Sequence, residues 1–210
     1  SGLGHVALGN YPSTYSLYKT WLLEKRILPE LNTMVNIVVG VFYLLAWLAN
    51  RKEKAFFWFG MTGFAWVIYS FCFLYTDPIS FLTAISIDRL QNIIFCFYTV
   101  GGCLGALHFV NKSFPRIQKL LFIFLAVATV CIALAPTNQV SAVIQFFFSS
   151  AVAIFLLKCI IYPFIAYKSK LPETYLLAVL YLIYLPIAFN DAQFMITMEG
   201  RPLSPYTGPF

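Results

Sequence analysis

Six separate hydrophobic stretches, each about as long as a bilayer crossing, constrain this chain more than any other feature. A helix rising about 1.5 Å per residue needs about 20 apolar residues to cross a hydrocarbon core of about 30 Å. Short basic or turn-rich breaks divide the stretches, which cover residues 31–49, 55–75, 88–110, 117–135, 140–166 and 174–197. The pattern therefore predicts an integral membrane protein with six spans.

Composition favours lipid as the solvent. The chain is 60% hydrophobic and only 10% charged, whereas a soluble domain is about 25% charged. An unpaired backbone amide in lipid costs several kcal/mol, so only helices or closed barrels cross, and the long runs lack the alternation of barrel strands. We expect an all-α polytopic transmembrane helical bundle over residues 31–210, after an extracytoplasmic lead-in or interfacial segment at 1–30.

The positions of the basic residues predict the orientation of the bundle. Cytoplasmic loops of membrane proteins are enriched in Lys and Arg. The first, third and fifth loops hold eight: Arg51, Lys52, Lys54, Lys112, Arg116, Lys119, Lys168 and Lys170. The opposite side holds five: Lys19, Lys25, Arg26, Arg89 and Arg201. The odd-numbered loops are therefore expected to be cytoplasmic and both visible ends extracytoplasmic. The net charge of +6 would favour a nucleic-acid partner in a soluble protein, but in a membrane protein the basic loops report orientation, so we expect no nucleic-acid partner.

Ionisable groups in or near the spans are the candidate functional residues, because charges are expensive in lipid. Arg89 lies at the start of the third span and Asp191 lies late in the sixth, so both are expected at the outer end, closer to each other than to Lys158. With Asn190 they form a candidate polar clamp or signal relay. Lys158 is expected to extend largely towards the inner loop, while a transporter would use all three charged groups to line a pathway.

Small residues and prolines point to helix packing and bending. Gly101 and Gly105 form a GxxxG pair, which lets helix backbones approach closely. Packing within the bundle is the first interpretation, and a homodimer through that face is the alternative. Pro163 and Pro186 are predicted kinks, because proline removes a helical hydrogen bond.

Catalytic and metal-binding patterns are missing from the sequence. It has no HExxH or GxSxG motif, and its two histidines, His5 and His108, are far apart. The five cysteines fall inside predicted spans without a CxxC pair, which favours a packing role. We therefore predict no catalytic, cofactor-binding or metal-binding residues, and an enzyme is the weaker hypothesis.

Two groups of motifs resemble a known receptor family. The first is the run VGVFYLLAWL at 39–48, followed by the basic turn RKEK at 51–54 and FWFG at 57–60. The second is AFND at 188–191, followed by Gly200 and the turn PYTG at 205–208. Over residues 31–210 the order of these motifs resembles the membrane domain of bacterial seven-transmembrane receptors with diverse intracellular signalling modules.

The resemblance implies a sensor of the bacterial plasma membrane. In that family an extracytoplasmic sensing domain precedes seven helices, and a histidine kinase, diguanylate cyclase or phosphatase module follows them, as in two-component signalling. This chain would hold six of the seven helices, and we expect a seventh span within about ten residues of Phe210, then a signalling module. The partners implied are the lipid bilayer and an extracytoplasmic ligand that the sequence does not identify. A small-molecule or ion transporter is the alternative function.

Overall fold

The computed structural model describes residues 15, 18, 19, 22, 23, 27–74, 83–110, 114–169 and 171–197, and for 73–74 and 191–197 it describes the backbone alone. Within these ranges the chain forms six long helices: α1 (Leu28–Ala49), α2 (Lys54–Leu74), α3 (Ala84–Phe109), α4 (Pro115–Leu134), α5 (Val140–Ser169) and α6 (Pro172–Thr197). All six are long and apolar enough to cross a membrane. The predicted all-α polytopic bundle is confirmed.

The helix α3 begins at Ala84, four residues before the predicted span. Thr83 has extended backbone geometry, and its Oγ1 accepts a hydrogen bond from the backbone amide of Ser86 at 3.3 Å. A threonine in this position satisfies an amide that has no partner within the first helical turn. The predicted third span, 88–110, therefore begins too late, because residues 84–87 also belong to α3.

Two tight turns make antiparallel helical hairpins at one end of the bundle. Between α1 and α2, the amide of Glu53 donates to the carbonyl of Asn50 at 3.1 Å. Between α5 and α6, the hydroxyls of Ser169 and Thr174 lie 2.7 Å apart, and Thr174 also donates to the carbonyl of Leu171. The start of α4 lies at the same end, because α3 and α4 are antiparallel neighbours. We call this the basic end, since it carries the first, third and fifth loops.

Helix α3 is the centre of the bundle. It packs most extensively against α2 and also contacts α4 and α5, while α1 packs mainly on α2 and α6 on α5. In the most apolar window of α3, 61% of residues are buried, against 11% in α1. The outer helices therefore present apolar faces to lipid, and the interior of the bundle lies around α3.

The glycines of α3 allow its close approach to α2. A Cβ on Gly101 would lie 2.8 Å from Oγ1 of Thr62, and one on Gly105 would lie 2.9 Å from a ring carbon of Phe59. Such distances leave no room for a side chain. The structure thus places both glycines at an internal contact, as the first interpretation of the GxxxG pair required.

Candidate functional site

Lys158 lies in the interior of the long membrane-spanning helix α5, on the face that packs against α3 and α6. It is 18 residues beyond Val140 and 11 residues before Ser169, or roughly 27 and 16 Å along the helix axis at about 1.5 Å per residue. A charged group at this depth is costly and is a functional candidate by default. We therefore take Lys158 and its surroundings as the candidate functional site.

Two aromatic rings enclose the ammonium of Lys158. Its Nζ lies 4.2 Å from the ring centre of Phe155, one turn earlier on α5, and 4.5 Å from the ring centre of Tyr181 on α6. An ammonium over an aromatic face is attracted by the ring quadrupole, with about 2 kcal/mol or more available when the pair is desolvated. The rings offset part of the cost of keeping a cation in the membrane.

A glycine on α3 makes room for the same ammonium. A Cβ on Gly102 would lie only 3.3 Å from Nζ of Lys158. The ammonium therefore sits at the meeting point of α3, α5 and α6. The expectation that Lys158 extends towards the inner loop is wrong, because its Nζ is held between the Phe155 and Tyr181 rings and Gly102.

The Lys158 site is part of a row of aromatic rings that crosses the bundle. The ring centres of Trp66 and Tyr98 are 5.3 Å apart, and those of Tyr98 and Phe155 are 6.2 Å apart. These spacings are typical of favourable ring pairs. We define the aromatic row as Trp66 on α2, Tyr98 on α3, Phe155 on α5 and Tyr181 on α6, with the Lys158 ammonium between the last two. It connects four helices at one depth.

Some buried polar atoms at the aromatic row lack hydrogen-bond partners. Five such side-chain atoms occur in the part of the chain that the structure describes, and three of them belong to the row or to residues next to its members: Nε1 of Trp66, Oγ1 of Thr99 and the hydroxyl of Tyr162. The Tyr162 ring packs edge-on against Tyr181, with ring centres 5.0 Å apart. Each unpaired buried group costs about 1–3 kcal/mol. A rearrangement or a bound molecule that supplies partners would be favoured by that amount.

Arg89 stabilises the end of α4 instead of pairing with a described carboxylate. Its Nη1 donates to the carbonyl of Ala133 and its Nη2 to the carbonyl of Ala135, both at 2.6 Å. These carbonyls belong to the last turn of a helix, where they lack intrahelical partners and attract cations. Arg89 therefore fastens the start of α3 to the end of α4.

The proposed clamp partner of Arg89 lies outside the described side chains. The backbone of Asp191 is helical, within α6, but its side chain is not among those described. Asn190, the preceding residue, is half-buried. Arg89 is 13 residues from Gly102 on α3, or roughly 20 Å from the Lys158 site. The pairing of Arg89 with Asp191 stays a prediction, and the structure does not join Arg89 to Lys158.

Both intramembrane prolines lie within continuous helix. Pro163 is inside α5 and Pro186 is inside α6. Proline has no amide proton, so the carbonyls four residues earlier, those of Cys159 and Leu182, lose their helical donors. The carbonyl of Cys159 directly follows Lys158 in the chain. The predicted kinks stay predictions, but the weakened α5 turn begins at the candidate site.

The groups at the Lys158 site are suited to binding and to conformational change. Cys103 and Cys159 are buried free thiols, and no group of three His, Cys, Asp or Glu residues suited to a metal ion occurs among the described residues. The ammonium, the phenols and the aromatic faces could recognise an acceptor or respond to a shift between helices. The site holds no set of groups recognisable as nucleophile, base and oxyanion donor.

Sequence reasoning identified Lys158 but missed the aromatic row. Phe155, Lys158 and Tyr162 are spaced at i, i+3 and i+7, so they share one face of α5. That spacing was a usable signal for two of the partners. Tyr181 and Tyr98 come from distant parts of the chain, and only the packing of α3 and α6 against α5 brings them to the site.

Comparisons of this chain with protein-family models, with curated proteins and with solved structures find no match.

Proposed function

We propose that this chain is the membrane sensor domain of a bacterial signal-transduction receptor. It would relay an extracytoplasmic signal through the helical bundle to a cytoplasmic output module that this chain does not include. The motifs at 39–60 and 188–208 provide the family resemblance. The structural observation that carries the proposal is the Lys158 ammonium between Phe155 and Tyr181, at the meeting point of three helices.

The Lys158 site has the features of a two-state element. Any sliding or rotation of α6 against α5 would move the Tyr181 ring relative to the ammonium. Such a movement loses one cation–π contact, while it could provide partners for the unpaired hydroxyls of Tyr162 and Thr99. Two packings of similar free energy are what a receptor needs, because a ligand can then shift the population between them.

The surroundings of Lys158 favour a sensor over a transporter. A transport pathway places ionisable groups along a cavity that water or substrate can enter. The Nζ of Lys158 is instead enclosed by two aromatic rings and Gly102, and the cavity beside this side chain has an almost entirely hydrocarbon surface. Transport of a small molecule or ion stays the second candidate, because a cation at this depth of the membrane is also the feature that transporters use.

The orientation belongs to the same proposal. The eight basic residues at the basic end support an orientation with that end in the cytoplasm and with the start of α3 and the end of α6 outside, in the inner membrane of a bacterium. The extracytoplasmic ligand would then act on the outer ends of the helices. We expect the parent gene to encode one further span after the region of Phe210 and then a signalling module.

The test uses the full-length receptor in its own host. We expect Lys158→Gln either to abolish output or to hold it at one level regardless of the signal, at unchanged protein abundance. Output is measured as phosphotransfer or as cyclic-dinucleotide level, according to the module. Lys119→Gln, which removes an exposed charge, should leave output unchanged. Concentrative uptake of a substrate by the purified protein in liposomes, sensitive to Lys158→Gln, would instead establish the transporter.

A further inference from the structure

A second feature of the bundle is an apolar cleft between α3, α4 and α5. It has a volume of about 440 Å³, and its walls include Leu107 on α3, Leu121 and Phe124 on α4, and Ile154 and Ile165 on α5. This volume lies in the range of about 300–1,000 Å³ that is usual for ligand sites. The Lys158 and Tyr162 side chains also contribute to the wall, but the surface is almost entirely hydrocarbon.

The cleft opens sideways towards lipid. Leu120 on α4 is 65% exposed and Leu157 on α5 is 55% exposed, and both line it. The two helices make few contacts with each other compared with the other neighbouring pairs. Because both helices cross the membrane, the opening faces the acyl chains of one leaflet.

Two basic side chains flank the cleft where it reaches the basic end. Arg116 precedes Leu120 by four residues on α4, and Lys168 follows Ile165 by three residues on α5. Side chains three or four residues apart share one face of a helix. Each basic group therefore lies one turn beyond a lining residue, at the depth of the headgroups. Both side chains are exposed, and neither has a carboxylate partner among the described residues.

We propose that this cleft binds one anionic phospholipid from the leaflet at the basic end. An acyl chain would lie between Leu120 and Leu157, and the headgroup phosphate would lie between Arg116 and Lys168. A guanidinium pairs with phosphate through two parallel hydrogen bonds, and an ammonium adds a point charge. Basic pockets between transmembrane helices select anionic headgroups in this way.

Charge complementarity selects this occupant over others. A zwitterionic lipid offers the same acyl chains but adds a cation beside Arg116 and Lys168. A free apolar molecule would fill the cleft without using either basic group. The inference does not depend on the proposed sensor role, since it rests on the apolar walls of the cleft and on the two basic groups at its end, although the Lys158 side chain contributes to one wall.

Native mass spectrometry of the full chain in detergent tests the proposal. Phosphatidylglycerol or phosphatidylcholine with the same acyl chains is added at equal concentration. We expect one phosphatidylglycerol to be retained at least tenfold more strongly than phosphatidylcholine. The double variant Arg116→Gln, Lys168→Gln should lose most of that preference.

Two further variants distinguish lipid binding in the cleft from a general attraction of anionic lipid to the basic end. Lys52→Gln with Lys54→Gln removes the same charge from the α1–α2 hairpin at the same end, and it should retain the preference. Ile161→Trp, which adds a large ring to the cleft wall, should weaken retention of both lipids. Equal retention of the two lipids, or an equal loss in the hairpin variant, would overturn the proposal.

Discussion

The ammonium of Lys158 lies 4.5 Å from the centre of the Tyr181 ring, so a cation on α5 is held against an aromatic face on α6. No described carboxylate neutralises this charge. The contact therefore combines a favourable local interaction with the cost of keeping an ion away from water. Replacement of Lys158 should therefore affect the stability of the bundle and its proposed signalling differently.

Replacing the Lys158 ammonium should keep or raise the stability of the bundle, although the proposed function depends on this group. In Lys158→Met the flexible apolar chain keeps its contact with Phe155 and Tyr181, and the cost of the buried charge disappears. We expect the free energy of unfolding to stay equal or rise by about 1–2 kcal/mol, measured by thermal denaturation in detergent. Lys119→Met, an exposed control, should change it by less than about 0.5 kcal/mol. A loss of more than 1 kcal/mol specific to Lys158→Met would show that the ammonium itself stabilises the bundle.

The two glycines of α3 should respond differently to alanine. In Gly105→Ala the new methyl group meets the Phe59 ring at 2.9 Å, and relieving this overlap should cost about 1–3 kcal/mol. In Gly102→Ala the methyl group meets Nζ of Lys158 at 3.3 Å and Cγ2 of Thr62 at 3.9 Å, and the better helix propensity of alanine offsets these milder contacts. Chemical denaturation of both variants in detergent measures the difference. Equal losses of stability in the two variants would mean that α2 and α3 pack less tightly at Gly105 than the 2.9 Å contact with Phe59 implies.

Loss of the Arg89 guanidinium should loosen the α3–α4 contact. Arg89→Gln cannot reach both Ala133 and Ala135, and hydrogen bonds from charged donors contribute about 1.5–3 kcal/mol each. We expect the free energy of unfolding to fall by about 2–4 kcal/mol. Amide hydrogen exchange should show the increased opening at the end of α4. Asp88→Asn, which changes the neighbouring exposed charge, serves as the control and should have little effect. An equal effect of both changes would argue against a specific role for Arg89.

The orientation of the bundle can be measured with single cysteines. In a background without the five native cysteines, Lys52→Cys marks the basic end and Thr137→Cys marks the α4–α5 turn; both positions are exposed. An impermeant maleimide added to intact cells should label only Thr137→Cys, because the basic end is expected inside. Labelling of Lys52→Cys alone would reverse the topology.

Much of the helical architecture could be predicted from the length of the apolar runs and from lipid as their solvent. Apolar runs of about 20 residues must form helices in lipid, where no water is present to satisfy the backbone. Their number and approximate limits were therefore predictable. The start of α3 at Ala84 was missed, since the Thr83 cap is a local hydrogen bond that hydrophobicity does not reveal. The close contact of Gly101 and Gly105 was foreseen as packing, but their partner helix was not.

The sequence by itself determined that Lys158 would be an expensive charge inside the membrane. It did not determine where the ammonium would go, because a lysine chain can extend towards the headgroups or turn inwards. Tertiary structure decided this through Gly102 on α3 and Tyr181 on α6, which are distant in sequence and meet at one depth. Likewise, the carbonyls of α4 that bind Arg89 become partners only when α3 and α4 pack together. Helices in lipid form from local hydrogen bonds, whereas their polar partners depend on which faces come into contact.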